Sequence, residues 1–172
     1  IHLGLCVERR DALDAGEDFP RPLDFFRRAE PRLDDRRHQA RGLRAGDVFA
    51  LQLPTSFETA ALYVAAFRAG ATVLPLVHNL GPADVDGVLR DAGARWLAVV
   101  DRWYGRDMLE GLAGLGAASD LAGVVVVGDS APAGAVRWRD LLESGLPAPA
   151  DVPQDPDSRC VLLYTSGTTS RP

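Results

Sequence analysis

The sequence predicts an α/β fold, a mostly parallel sheet with helices on both faces, on three observations. Short apolar runs alternate with helical patterns from residue 47 onward. Glycines fall where those helical patterns stop, at Gly70 and Gly93. The run GVVVV at 123–127 carries no polar side chain, as suits a strand covered on both faces.

Each element follows from its own residues. The first forty-five residues give only a weak helical pattern, because RRAEPRLDDRRHQARGLRAG is poor in apolar residues and Pro31 interrupts any continuous helix. DVFALQLP at 47–54 is rich in strand formers and ends at Pro54. TSFE then reads as a capping box, with the Thr55 hydroxyl accepting from the amide three residues on and Glu58 reaching back. The helix that follows is expected to turn Phe57, Ala60, Ala61, Val64 and Phe67 to one face and to stop at Gly70. ATVLPLV at 71–77 predicts a strand, and GPADVDGVLRDAG at 81–93 a helix with Pro82 in its first turn. RWLAVV at 95–100 predicts the next strand, a helical segment is expected around 108–115, and a short helix near 138–145. Strands and helices in this alternation imply right-handed crossovers and parallel pairing.

LPAPADVPQDPDS holds Pro147, Pro149, Pro153 and Pro156 and predicts a surface linker, after which CVLLY at 160–164 returns to strand character. Four parts result: a poorly patterned segment at 1–41, an α/β subdomain at 42–145, a Pro-rich linker at 146–159, and a strand with the start of a loop at 160–172. The first residue is Ile1 and the last, Pro172, falls in an unfinished loop, so both ends are expected to be cut.

Composition narrows the function. A formal charge of −5, from 24 acidic and 19 basic residues, gives no electrostatic reason to bind nucleic acid. All nineteen basic residues are arginine, so no lysine is present to act as nucleophile or ammonium clamp. Cys6 and Cys160 lie far apart in no metal-binding spacing, which fits a reducing compartment, and no apolar run is long enough to span a bilayer. A cytoplasmic protein is expected. His78 reads as structural, and His2 and His38 carry no pattern. Trp96, Trp103 and Tyr104 are expected to pack against the sheet, and the run from Asp34 to Arg37 reads as a solvated face.

The chemistry concentrates in the last residues. Thr165, Ser166, Gly167, Thr168 and Thr169 follow directly on a predicted strand, at the edge of a parallel sheet where ligands bind. Hydroxyls and closely spaced amides, curled at Gly167, suit phosphate oxygens. The loop is neither a Walker A motif, which needs a second glycine and a lysine, nor a GxSxG nucleophile elbow, since Tyr164 stands where the first glycine would be. A solvated turn is the plain alternative.

The string YTSGTTSRP resembles the signature loop of the adenylate-forming superfamily, YTSGTTGxPKG, which acyl-CoA synthetases, luciferases and peptide-synthetase adenylation domains share. Tyr164, Thr165, Ser166, Gly167, Thr168, Thr169 and Pro172 match, while Ser170 replaces the usual glycine. GLRAGDVFALQLPTSFETAALYVAAFRAGATVLPL and LGPADVDGVLRDAGARWLAVV resemble the first blocks of that superfamily's large N-terminal domain, so the resemblance covers residues 42–172 and not 1–41. Thr168, where peptide-synthetase domains more often carry serine, points to the acyl-CoA synthetase branch. PLVHNLGP and DRWYGRDML are similar to bacterial CoA ligases for fatty, alicyclic or aromatic acids.

The resemblance implies an AMP-forming acid–thiol ligase: a carboxylate is activated by ATP, with Mg²⁺, and the acyl-adenylate is captured by coenzyme A. Thr165, Ser166, Gly167, Thr168 and Thr169 would hold the ATP phosphates, and Arg171 is given no role. Catalytic and metal-binding residues are expected downstream of residue 172, with none in this N-terminal portion. A non-catalytic nucleotide-binding module or pseudoenzyme, and a peptide-synthetase adenylation domain, remain the alternatives.

Overall fold

The β-branched and aromatic run VFALQ forms strand β1 (Val48–Gln52), buried at every position. The computed structural model describes residues 42–143 and 155–165. Helix α1 (Phe57–Arg68) returns the chain to β2 (Thr72–Pro75), and α2 (Pro82–Asp91) returns it to β3 (Ala94–Val100). A two-stranded hairpin, β4 (Arg102–Trp103) and β5 (Arg106–Asp107), and two 3₁₀ turns at Leu112–Gly114 and Gly116–Ser119 lead to β6 (Gly123–Val127). The short strand β7 (Val136–Arg137) runs into α3 (Trp138–Glu143).

The larger sheet has five strands in the order β2-β1-β3-β6-β7, and each neighbouring pair is parallel. Helices cover both faces, as the alternation predicts. Phe49, Leu51, Val73, Trp96 and Val125 pack with Leu62, Ala65 and Ala66 of α1 and with Trp138 and Leu141 of α3. On the opposite face Ala50, Leu74 and Leu97 pack with Val85, Val88 and Leu89 of α2 and with Leu115 and Ala117. A fully buried aliphatic side chain of this kind contributes about 1.5–3 kcal/mol, so these two layers dominate what holds the sheet. Trp96 is buried as expected, and its indole lies where a side chain on Gly123 would stand, 2.4 Å from the added Cβ, so β6 needs glycine at its first position.

Three expectations are corrected. Ser56, not Thr55, is the N-cap of α1: its side chain accepts from the Thr59 amide at 3.3 Å, and the Thr59 hydroxyl donates to the Pro54 carbonyl at 2.7 Å. Ser56 is the residue with extended backbone immediately before Phe57, the first helical residue, and that places the cap one residue beyond Thr55. The buried face of α1 is Leu62, Ala65 and Ala66, while Phe57 and Val64 are 53% and 56% exposed. FETAALYVAAFR is apolar on nearly every side, so periodicity alone could not choose a face. The paired alanines let the helix axis approach the sheet closely enough to cover Phe49 and Trp96. The segment around 108–115 forms 3₁₀ turns rather than an α-helix, since Gly111, Gly114 and Gly116 weaken any longer run.

Gly70 and Gly93 adopt φ of 73° and 62° directly after their helices, the left-handed conformation that ends a helix without a side-chain penalty. The short helix predicted near 138–145 is present over Trp138–Glu143. The readings for residues 1–41 and for Pro147, Pro149 and Pro153 of the linker lie outside the described residues, as do Cys6, His2 and His38.

Candidate functional site

The segment 160–164 extends the sheet beyond β2. Val161 bridges Val73 in parallel, the Val73 amide donates to the Cys160 carbonyl at 2.8 Å, and the Leu162 amide donates to the Val73 carbonyl at 2.9 Å. The Thr72 hydroxyl adds a bond to the Arg159 carbonyl at 2.9 Å. Because the segment runs parallel to β2, it delivers Thr165 to the edge where the other strands also end. Thr165 is exposed there. Ser166, Gly167, Thr168 and Thr169, with Ser170 and Arg171, lie outside the described residues.

Alternation along this segment sends side chains to opposite faces. Leu162 and Tyr164 pack against the α2 layer, and Leu163 is exposed. The Tyr164 hydroxyl donates to the Asp91 carboxylate at the last residue of α2. Burial, then this hydrogen bond and the negative charge of Asp91, push the Tyr164 phenol up to about 12. No spacing in the sequence announces this pair, whose members lie 73 residues apart.

The same edge carries two further features that sequence reasoning did not find. Asp101, just past β3, accepts from the amides of Asp129 and Ser130 at 2.9 and 3.1 Å and ties the ends of β3 and β6 together. An apolar cleft opens on the α1 side, lined by Leu53, Ser56, Thr59, Tyr63, Pro75 and Leu76. Its polar lining belongs to the start of α1, where the hydroxyls of Ser56 and Thr59 are already engaged with each other at 3.2 Å.

His78 and Trp103 make an edge-to-face contact with ring centroids 5.3 Å apart, so the histidine serves packing, as expected. Tyr104 is a correction: it is 93% exposed rather than packed on the sheet. It and Gly105 form the two-residue turn of the β4–β5 hairpin with φ of 47° and 77°, and a turn with positive φ at both positions points the first side chain outward. Among the described residues no group of three or more His, Cys, Asp or Glu side chains could hold a metal ion. Among the same residues no helix is long and apolar enough to cross a membrane.

An open parallel sheet with helices on both faces, whose edge segment brings the chain to Thr165 beside the C-terminal end of β2, defines a parallel α/β protein. Known proteins sharpen that class. A match to the family described as AMP-binding enzyme runs over residues 38–172. Protein Y of Streptomyces griseus is 37% identical over 136 residues, covering 77% of this chain and 44% of that protein. The 3-hydroxybenzoate–CoA/4-hydroxybenzoate–CoA ligase of Thauera aromatica is 32% identical over 135 residues, covering 78% of this chain and 25% of the ligase. The solved structure of acetoacetyl-CoA synthetase from Streptomyces lividans superposes with a TM-score of 0.67 at 27% identity, over 77% of this chain and 22% of that one. The chain belongs to the AMP-binding enzymes of the adenylate-forming superfamily. It spans less than half the length of these relatives.

Proposed function

We propose that this chain supplies the part of an ATP-dependent carboxylic acid–CoA ligase that grips the triphosphate. In the first step a carboxylate oxygen of the acid attacks the α-phosphorus of ATP, the bond to pyrophosphate breaks, and an acyl-adenylate forms. In the second the sulfur of coenzyme A attacks the acyl carbon and AMP leaves, giving the thioester. The acid is left at the level of its class, fatty, aromatic or alicyclic. ATP and coenzyme A are both cytoplasmic, which suits that compartment.

Thr165, Ser166, Gly167, Thr168 and Thr169 hold the β- and γ-phosphates through hydroxyls and backbone amides, so that pyrophosphate leaves in line with the incoming carboxylate. Nucleotidyl transfer of this kind depends on positioning and neutralising charge more than on covalent help from protein. Mg²⁺ would accompany ATP, and the family resemblance assigns its carboxylate ligand downstream of residue 172. The observation that carries the reading is the string YTSGTT at the end of an edge segment laid parallel on β2.

The test is made in the full polypeptide that carries this segment, with Thr165, Ser166, Thr168 and Thr169 all replaced by valine or alanine. Several charge-assisted hydrogen bonds disappear together, so ATP binding measured by calorimetry weakens by about 100-fold or more. Unchanged ATP affinity in that variant overturns the proposal.

A further inference from the structure

We infer that Asp91 is a positioning residue for the phosphate-gripping loop: through the Tyr164 hydroxyl it fixes the point at which that loop leaves the sheet. The inference rests on the proposed role of residues 165–169.

The backbone alone holds this exit weakly. Segment 160–164 is tied to β2 by the two amide bonds at Val73, and the ladder stops there. Amides along a strand point alternately to its two neighbours, so the next β2 amide facing this segment after Val73 would come from Pro75, two residues on. Proline has no N–H to give. The last ladder bond is therefore the one from the Leu162 amide, three residues before Thr165, and Tyr164 is the last residue before the hydroxyl-rich sequence.

The Tyr164 side chain makes the connection that the backbone cannot. It packs with Leu162 against the α2 layer and donates to Asp91. Asp91 is well placed to act as a fixed post, because α2 is locked to the sheet by Val85, Val88 and Leu89 and closed by Gly93 in the left-handed conformation. It is also the wrong charge for its position on helix grounds. A carboxylate at the last residue of a helix faces the negative end of the macrodipole, and a basic residue would be preferred there. Of the other acidic residues of α2, Asp84 lies in the first turn, where the helix dipole favours it, and Asp86 is taken up by Arg90 at 3.0 Å and by the Ala117 amide at 2.6 Å. Asp91 instead accepts from the Tyr164 hydroxyl, and Tyr164 belongs to the loop's root.

The experiment compares Tyr164→Phe, Asp91→Ala and Asp91→Asn in the full polypeptide, assayed by carboxylate-dependent ATP–pyrophosphate exchange. Tyr164→Phe and Asp91→Ala are each expected to raise the KM for ATP about five- to tenfold, the effect of one hydrogen bond, with kcat and the KM for the acid little changed. Asp91→Asn keeps an acceptor and recovers most of that loss. The double variant Tyr164→Phe with Asp91→Ala is no worse than either single one, because one contact is removed in all three. Lowered thermal stability with an unchanged KM for ATP in either single variant overturns the inference and leaves a structural contact only. The four-hydroxyl variant separates the two ideas: if it leaves ATP binding intact, the loop's proposed role fails; if it weakens binding while Tyr164→Phe and Asp91→Ala do not, the anchor alone fails.

Discussion

Tyr164 shows how one side chain at the root of a loop acquires both a position and a pH signature. Its phenol is pushed up to about 12 by burial, by its hydrogen bond to Asp91 and by that carboxylate's charge. The folded value lies above the ordinary tyrosine value near 10, so the stabilisation from this contact is fully present below about pH 10 and disappears as pH rises through about 12. Alkaline difference spectra of the wild-type chain against Tyr164→Phe isolate this phenol, with an expected midpoint of about 12. The stability advantage of wild type over Tyr164→Phe should hold constant up to about pH 10 and decline from there until it is lost as pH passes about 12. The chain contains no lysine to titrate in the same window. A midpoint near 10 would remove the contact from the account. Asp86 works in the opposite sense: its bonds to the Ala117 amide and to Arg90 hold its carboxyl below the usual range.

At the scale of elements, α1 is the instructive helix. Its start is set by Ser56, which caps the Thr59 amide, while the Thr59 hydroxyl holds the Pro54 carbonyl, two residues past β1. Ser56→Ala should lower the unfolding free energy by about 1 kcal/mol, the usual loss for an N-cap, and Thr55→Ala should change it far less. Urea denaturation of the two variants reads the difference directly, and equal losses would return the cap to Thr55. The face that α1 buries was not legible because nearly every position of FETAALYVAAFR is apolar. Only the closeness demanded by Phe49 and Trp96 selects Leu62, Ala65 and Ala66. In α2 the reading was easier, since GPADVDGVLRDAG alternates polar and apolar residues and places Pro82 and Gly93 at its two ends.

For the whole molecule, the parallel sheet brings the ends of β1, β2, β3 and the 160–164 segment to one edge, and in the sequence the proposed phosphate-gripping residues follow the last of these. The proposed ligase needs an acyl pocket, a ribose-binding acidic residue, a metal-binding carboxylate and an adenylating lysine, all of which the family resemblance assigns downstream of residue 172. Residues 1–172 by themselves should therefore catalyse no carboxylate-dependent pyrophosphate exchange. Measurable exchange with any of a panel of fatty, aromatic and alicyclic acids would overturn this division of labour. A full polypeptide that binds ATP yet forms no acyl-adenylate with any acid would favour the non-catalytic module instead.

The amino-acid sequence by itself determined the alternation of strands and helices, the glycines that close α1 and α2, and the family, because periodicity, left-handed turns and a contiguous motif are all local properties. Tertiary structure alone decided which side of α1 is buried, why β6 begins with glycine against Trp96, and that Asp91 meets Tyr164 across 73 residues. Such choices depend on which surfaces a sheet brings within contact distance, and no local pattern carries that information.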